Sequence, residues 1–260
     1  MREPAFVRQV LAVAGMEVRK LRHDPTELAT RAVQPVLWLA IFGQAMAHAH
    51  ALDTGSIPYL DYLVPGILAQ SVLFIAIFNG ISVIWERDLG IVHKFLVSPA
   101  PRTALVLGKA LGAGARALVQ AIVVVLLGVA LGVDLRLAPG ALAGTVLVVI
   151  LGAAVFSTFS LIIACIVKTR ERFMGIGQVL TMPLFFASNA IYPTSVMPGW
   201  VRAIAKANPL TYQIDALREL LLPGHSGLSP MGLPLDFAVL AAALAILVAV
   251  SARIYPRIAI

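Results

Sequence analysis

Residues 137–167 read LAPGALAGTVLVVILGAAVFSTFSLIIACIV, thirty-one consecutive positions without a charged side chain. A bilayer hydrocarbon core about 30 Å thick is crossed by about 20 apolar residues in a helix, so this run is long enough to span it. Working outward, Tyr62–Trp85 is uncharged over 24 residues and Phe173–Val201 over 29, and Phe237–Ala252 is a shorter apolar run near the C-terminus. Ala32–Leu52 is uncharged but carries Gln34, Pro35 and Gln44, and Ala110–Val133 holds one charge, Arg116. Spans are therefore expected near residues 27–48, 60–84, 105–132, 140–166, 173–191 and 235–254. The expected fold is an all-α membrane protein, with one six-span domain over residues 25–254 behind an amphipathic segment at 1–24.

Composition agrees. Of 260 residues, 60% are hydrophobic and 13% charged, against roughly 25% charged in a soluble domain. Too few charges are present to cover a soluble surface. The single cysteine, Cys165, lies inside an apolar run, so no intrachain disulfide forms, and it reads as a small buried hydrophobe. The N-terminus shows no short apolar stretch followed by a small-residue cleavage site, and no cleaved signal peptide is expected.

The net charge of +7 is explained by topology. With both termini in the cytoplasm, fifteen of the Lys and Arg residues fall on the cytoplasmic side of the six spans, four fall outside, and Arg116 lies within a span. Cytoplasmic loops carry this excess, and basic segments near the bilayer attract anionic lipid. The partners expected on this ground are membrane lipids and not nucleic acid. The expected location is a membrane, crossed several times with both termini in the cytoplasm.

The segments outside the spans are more informative. In residues 5–22, Val7, Leu11, Ala14, Val18 and Leu21 recur at three- and four-residue spacing, one apolar stripe on a helix lying in the cytoplasmic interface. Asp24-Pro25-Thr26-Glu27 then offers an N-cap, a proline at N1 and a glutamate at N3, so a new helix starts there. Residues 86–99 open with Glu86, Arg87 and Asp88; Leu89, Val92, Phe95 and Leu96 then form an apolar face, and Ser98-Pro99-Ala100-Pro101 ends the element. Such a helix fits a groove in a soluble partner; an ordinary loop with a lipid-facing patch fits the pattern as well. Residues 192–233 are apolar and proline-rich. They read as external short helices, one over Pro198–Ile204 and a second begun by Asn208-Pro209 with Leu210, Ile214, Leu217 and Leu221 on one face. Whether these re-enter the membrane stays open at this stage.

Several chemistries are missing. No G-x-x-x-x-G-K-[ST] is present, since Gly108-Lys109-Ala110 lacks both the loop and the hydroxyl. Neither H-E-x-x-H nor G-x-S-x-G occurs. No metal site is expected: His48 and His50 flank an external loop and read as solvated, and the other histidines lie in separate segments. No catalytic residue stands out. Pumps and ion-coupled carriers keep ionisable groups at mid-membrane depth, and the confident spans hold no Asp, Glu, Lys or His near their centres. Arg116 lies one to two turns inside its span, where its stem can snorkel to the cytoplasmic headgroups. An active transporter of this kind has to take its energy from another protein.

These pieces resemble a known family. Asp24-Pro25 with Pro35, Leu63-Val64-Pro65-Gly66, Leu96-Val97-Ser98-Pro99, Ile191-Tyr192-Pro193 with Met197-Pro198, and above all Asn208-Pro209-Leu210-Thr211-Tyr212 followed by Asp215 and Arg218 are similar, in order and spacing, to type-2 ATP-binding-cassette exporter permeases of the daunorubicin-resistance and nodulation-export branch. Glu86-Arg87-Asp88-Leu89-Gly90-Ile91 departs from that family's usual Arg-Glu-x-Gly-Thr pattern. The resemblance implies that residues 5–22 are a connecting helix, and that a coupling helix carries Glu86, Arg87, Asp88, Leu89, Val92, His93, Phe95 and Leu96 into a cleft of a separate ATPase subunit. It implies two permease chains, identical in a homodimer, with two ATPase chains. The chain itself would bind no cofactor, while ATP and Mg would sit in the partner. It implies a path between the permeases lined by Phe42, Phe74, Phe78, Asn79, Phe185, Phe186 and Asn189. The function implied is export of an amphipathic drug, lipid or lipid-linked glycan.

Two other classes remain. One is an ion-coupled six-span carrier or channel. The other is an intramembrane enzyme, for which Ser157 or Ser160 would be the nucleophile and would need a base that the sequence does not show.

Overall fold

The structure is a computed structural model, and it describes residues 3–21, 25–49, 54, 57–92, 97, 100–167, 169–222 and 232–255. The described residues form helices joined by turns. In chain order these are α1 (Glu3–Leu21), α2 (Pro25–Val36), a π-helical stretch (Leu37–Gly43), α3 (Gln44–Ala49), α4 (Tyr59–Asp88), α5 (Arg102–Ala130), α6 (Pro139–Ile166), α7 (Arg170–Phe186), α8 (Gly199–Ala207), α9 (Pro209–Leu221) and α10 (Leu233–Ile254).

Four of them, α4, α5, α6 and α10, are long and apolar enough to cross a membrane. At 1.5 Å per residue the 30-residue α4 is about 45 Å long, so its charged last turn projects beyond a core of about 30 Å. The end of the bundle that carries residues 131–138 and 187–222 is the one the charge distribution assigns to the outside, and it is called the outer end below.

The bundle is built on α4, α5 and α6, which pack on one another; α10 lies against α6, α7 against α4, and α1 against α5. Lipid is as apolar as leucine, so helices in a membrane associate where small residues let backbones approach. The buried stripe of α5 is Ala113, Ala117 and Ala121, at four-residue spacing. Gly152, Ala153 and Ala154 of α6 serve the same purpose.

Two expected spans take a different form. Residues 25–49 are helical throughout, but two residues after Pro35 the helix widens into the π stretch. Proline removes one i→i−4 hydrogen bond and its ring crowds the preceding turn, and a wider turn absorbs the slip. The expected span at 173–191 starts earlier and ends sooner: α7 has 17 residues and stops at Phe186, and residues 187–191 are turns and bends.

The N-terminal helix docks on the bundle by a face other than its apolar stripe. Its stripe of Val7 and Leu11 points away from the protein, at 53% and 58% exposure. The docked face is Val10, Val13 and Glu17, all buried. It sits on Gly108 and Gly112 of α5, where an added Cβ would come within 2.5 Å of Val13 Cβ and 2.4 Å of Glu17 Cβ. A helix one turn apart on glycine is the close-approach pattern of membrane helices. The new helix expected after residue 24 does begin at Pro25, while Asp24 and the side chains of the cap lie outside the described residues.

At the outer end, α9 enters the bundle. It packs against α4, α6 and α10, and Leu210, Ile214, Leu217 and Leu221 are fully buried. Gln213 presses on Gly152, midway along α6, while Leu220 meets Gly144 nearer its outer end. The first turns of α9 thus lie at about half the depth of α6, and the helix climbs outward from there.

Candidate functional site

Two polar clusters occupy opposite ends of the bundle. The inner one joins four charged side chains from three helices. Lys109 Nζ donates to Glu86 Oε2 at 2.5 Å and lies 3.5 Å from Glu17 Oε1. Arg116 Nη2 donates to Glu17 Oε2 at 2.5 Å, and Arg116 Nη1 donates to Asn79 Oδ1. Asn79 Nδ2 then donates to Ser157 Oγ at 3.2 Å. Glu17, Glu86 and Lys109 are each at most 5% exposed. Two acids and two bases make the cluster neutral, which is the condition for burying charges at a tolerable desolvation cost. The chain of contacts runs from α1 through α5 and α4 to α6. Arg116 does not snorkel to the headgroups as expected; it turns into the protein, because Glu17 and Asn79 supply acceptors there.

The segment expected to couple to a partner starts later than residue 86. Glu86, Arg87 and Asp88 form the last turn of α4, and Gly90 at φ +71° breaks the helix. That left-handed conformation suits glycine, which has no Cβ to clash. Glu86 faces inward to Lys109. Asp88 accepts from Arg170 Nη2 at 2.7 Å and from Arg87 Nη2 at 3.1 Å. These guanidiniums, Arg170 first, hold its carboxyl below the usual carboxylate range. Arg170 also stacks 3.4 Å over the Trp85 ring, which ties the end of α4 to the start of α7. Leu89 is 68% exposed, whereas Val92 is fully buried, so these two do not share an open face. Val97 is exposed. His93, Phe95 and Leu96 lie outside the described residues.

The outer cluster centres on Arg218 of α9, which is buried. Its guanidinium lies 3.6 Å over the Tyr62 ring, donates to the Asn189 carbonyl at 2.5 Å and reaches Asp215 Oδ1 at 3.7 Å. Tyr62 Oη donates to the same Asn189 carbonyl at 2.9 Å, and Tyr59 Oη donates to the Ile191 carbonyl at 3.2 Å. Asn189 Nδ2 donates to Asp215 Oδ1. The turn at 187–191 is non-helical backbone inside a bundle, and its carbonyls have to be satisfied by protein; Arg218 and the two tyrosines do so. Gly66 lets it in, since a Cβ there would lie 2.4 Å from the Ala190 carbonyl oxygen. Asn208 completes the arrangement. Its Oδ1 accepts from Leu210 N at 3.0 Å as an N-cap, and its Nδ2 donates to the carbonyls of Leu184 and Ala187 at the end of α7.

Of the seven residues expected to line a path, Phe42, Phe185 and Phe186 come together. Phe185 packs edge-on to Phe186 and to Trp38, and Trp38 packs edge-on to Phe42. Phe186 is 45% exposed and Phe42 half-buried, while Phe185 is buried. Phe74 and Phe78 stack on one another, half-buried. Asn79 and Asn189 lie inside the chain, held by the two polar clusters, and not on an open surface. Ser157 accepts from Asn79, and Ser160 donates to the Ile77 carbonyl, so neither hydroxyl is bonded to an imidazole or a carboxylate. No group of three His, Cys, Asp or Glu placed to hold a metal is found among the described residues.

The sequence reading passed over Glu17, Lys109 and Trp38. A signal for the first two existed: Gly108 and Gly112 stand one turn apart, and Val10, Val13 and Glu17 share a face at helical spacing.

A helical bundle with four membrane-length helices, a surface helix docked at one end and a short helix inserted at the other defines a multi-pass membrane protein with no evident catalytic centre among its described residues. Residues 8–222 match the ABC-2 type transporter family, and the chain belongs to that family as a membrane permease. It is 29% identical over 236 residues to the daunorubicin resistance ABC transporter permease protein DrrB1 of Streptomyces coeruleorubidus, covering 90% of this chain and 81% of that one. A putative transport permease, ycf38, of Cyanophora paradoxa is 27% identical over 217 residues, covering 83% and 74%. The probable doxorubicin resistance permease DrrC of Mycobacterium tuberculosis is 27% identical over 235 residues, covering 87% and 81%.

Proposed function

We propose that this chain is the membrane subunit of an exporter that moves an amphipathic drug, a lipid or a lipid-linked glycan out of the cell, powered by a separate ATP-binding-cassette ATPase. On this reading residues 25–49 and α7 complete six spans with α4, α5, α6 and α10. Two permease chains, identical in the simplest case, work with two ATPase chains beneath a bacterial inner membrane, with both permease termini in the cytoplasm. ATP and Mg belong to the partner.

The observation that carries the reading is the inner charge cluster. It joins the docked surface helix to the end of α4, next to the segment that would meet an ATPase. A push on residues 89–97 would be delivered through Glu86 and Lys109 into α5 and α1 as a rigid-body shift, because the buried charges cannot part cheaply. Among the described residues of that segment, Leu89 and Val97 are exposed and apolar, and in the full assembly they would be covered.

The test is co-purification. The chain is expressed with a candidate ATPase, and the bound ATPase and its rate of ATP hydrolysis are measured. Leu89→Glu with Val97→Glu is expected to abolish capture at unchanged membrane expression. Full capture and unchanged hydrolysis with both changes would remove this segment as the docking element.

A further inference from the structure

A cavity of about 130 Å³ opens at the outer end, between α8, α9 and the start of α10. Its walls carry opposite charges at opposite depths. Asp215 and Asp236 are buried, at 6% and 1% exposure, and Thr211 beside them is 7% exposed. Thr211 Oγ1 has no hydrogen-bond partner among the described residues. A buried hydroxyl of this kind is expected to find one. Arg202 and Lys206, one turn apart on α8, are exposed and line the mouth. Arg202 is committed to the carbonyls of Thr194, Ser195 and Met197. Lys206 has no acidic partner among the described residues.

The size excludes a whole drug-sized molecule, which needs roughly 300–1,000 Å³. A small head fits. The deep end, with the Asp236 carboxylate and Thr211 Oγ1 beside an Asp215 whose Oδ1 already accepts from Asn189 Nδ2 and faces Arg218, suits a group with several N–H donors and a positive charge. The mouth suits an anion. Trp200 and Ile204 occupy another face of α8 and are 71% and 48% exposed, which is how an aromatic anchor sits at the level of lipid headgroups. From the cavity and its charge order we infer that this chain holds the phosphoethanolamine headgroup of a phospholipid there, with the primary ammonium toward Asp236, Asp215 and Thr211 Oγ1 and the phosphate toward Lys206. The site goes beyond the export reading, because binding needs neither ATP nor the ATPase.

The experiment is native mass spectrometry of the purified chain after exchange into equal parts of phosphatidylethanolamine, phosphatidylcholine and phosphatidylglycerol. Phosphatidylcholine has no N–H donor, and phosphatidylglycerol has no cation. One retained phosphatidylethanolamine per chain is expected, favoured about tenfold over each of the others, the factor that one charge-assisted hydrogen bond supports. Asp236→Asn and Thr211→Val are each expected to lower that preference. Lys206→Gln, at an exposed position that folding does not need, is expected to weaken retention of phosphatidylethanolamine and phosphatidylcholine alike. Equal retention of the three lipids would overturn the proposal, as would a preference that survives Asp236→Asn in folded protein, or retention that Lys206→Gln leaves unchanged. Soluble glycerophosphoethanolamine supplies the same head without acyl chains. Failure to compete at equal concentration supports the lipid, and full competition would overturn the lipid as the occupant.

Discussion

Asn208 shows how one side chain closes two helices. Its Oδ1 caps α9 and its Nδ2 takes two carbonyls at the end of α7. Helix ends leave such groups unsatisfied, and there is little water at this depth. Losing an N-cap costs about 1 kcal/mol, and each buried acceptor left unsatisfied adds about 1–3 kcal/mol. Asn208→Ala is therefore expected to lower the unfolding midpoint in detergent clearly. Asn208→Asp keeps the cap oxygen, loses the donor, and should fall between. Thermal unfolding of the three proteins checks the order. The Asn-Pro pair was legible in the sequence as a helix start; the second duty was not, because Leu184 and Ala187 are more than twenty positions away.

The four buried charges at the inner end make a second residue-scale prediction. Lys109→Met leaves Glu86 facing a neutral methyl group, and breaking a buried pair in this way costs about 3–5 kcal/mol. Glu86→Gln alone leaves Lys109 with Glu17 as its remaining acid. The double variant restores neutrality, and Glu17 keeps Arg116. Chemical unfolding of the four proteins is expected to show that the double variant loses less than the sum of the singles. Additive losses would mean that the two side chains do not act as a pair. The glycine pair Gly108 and Gly112 was the one sequence signal for this cluster, and the pairing itself was not legible, since two expected spans lie between Glu17 and Lys109.

At the scale of elements, hydropathy located the long helices because a run such as 137–167 has no other use for thirty uncharged residues. It did not locate the docked face of α1 and left the place of α9 open, for one reason: an apolar stripe in a membrane protein does not say whether lipid or protein covers it. The Val7–Leu11 stripe of α1 faces outward, and the docked face, with Val10, Val13 and Glu17, includes a charge. On α9 the apolar stripe faces inward, as a soluble-protein reading would have it. The α1 dock depends on two glycines. Gly112→Leu is expected to lift α1 and separate Glu17 from Arg116, a packing and charge loss together. Hydrogen exchange would show faster exchange along α1 with the central turns of α4 and α6 unchanged. Gly66→Val acts at the other end, where the Ala190 carbonyl has no room to yield. It is expected to cost about 1–3 kcal/mol or more as an overpacked contact, read as a lower unfolding midpoint.

For the whole molecule, the two polar clusters fasten the bundle toward its two ends, and small and aliphatic side chains pack much of what lies between. Interhelical hydrogen bonds in membranes are worth about 0.6 kcal/mol on average, so single neutral contacts such as Asn79 with Ser157 contribute little, and the charged groups at the ends decide how the helices move together. Such a bundle has places to receive a push, and no means of generating one is seen among its described residues. The family was readable from the order of weak motifs, and several of those motifs now have physical duties: Gly66 admits Ala190, Asn208 joins α7 to α9, and Arg218 satisfies the turn at 189. The central claim is that the energy comes from a separate ATPase. Reconstituting the purified chain in proteoliposomes, with and without its ATPase, and following an amphipathic fluorescent substrate tests it most directly. The expected result is transport only when the ATPase and ATP are both present, and none with a pH gradient alone. Transport by the chain alone, driven by the gradient and indifferent to ATP, would contradict it.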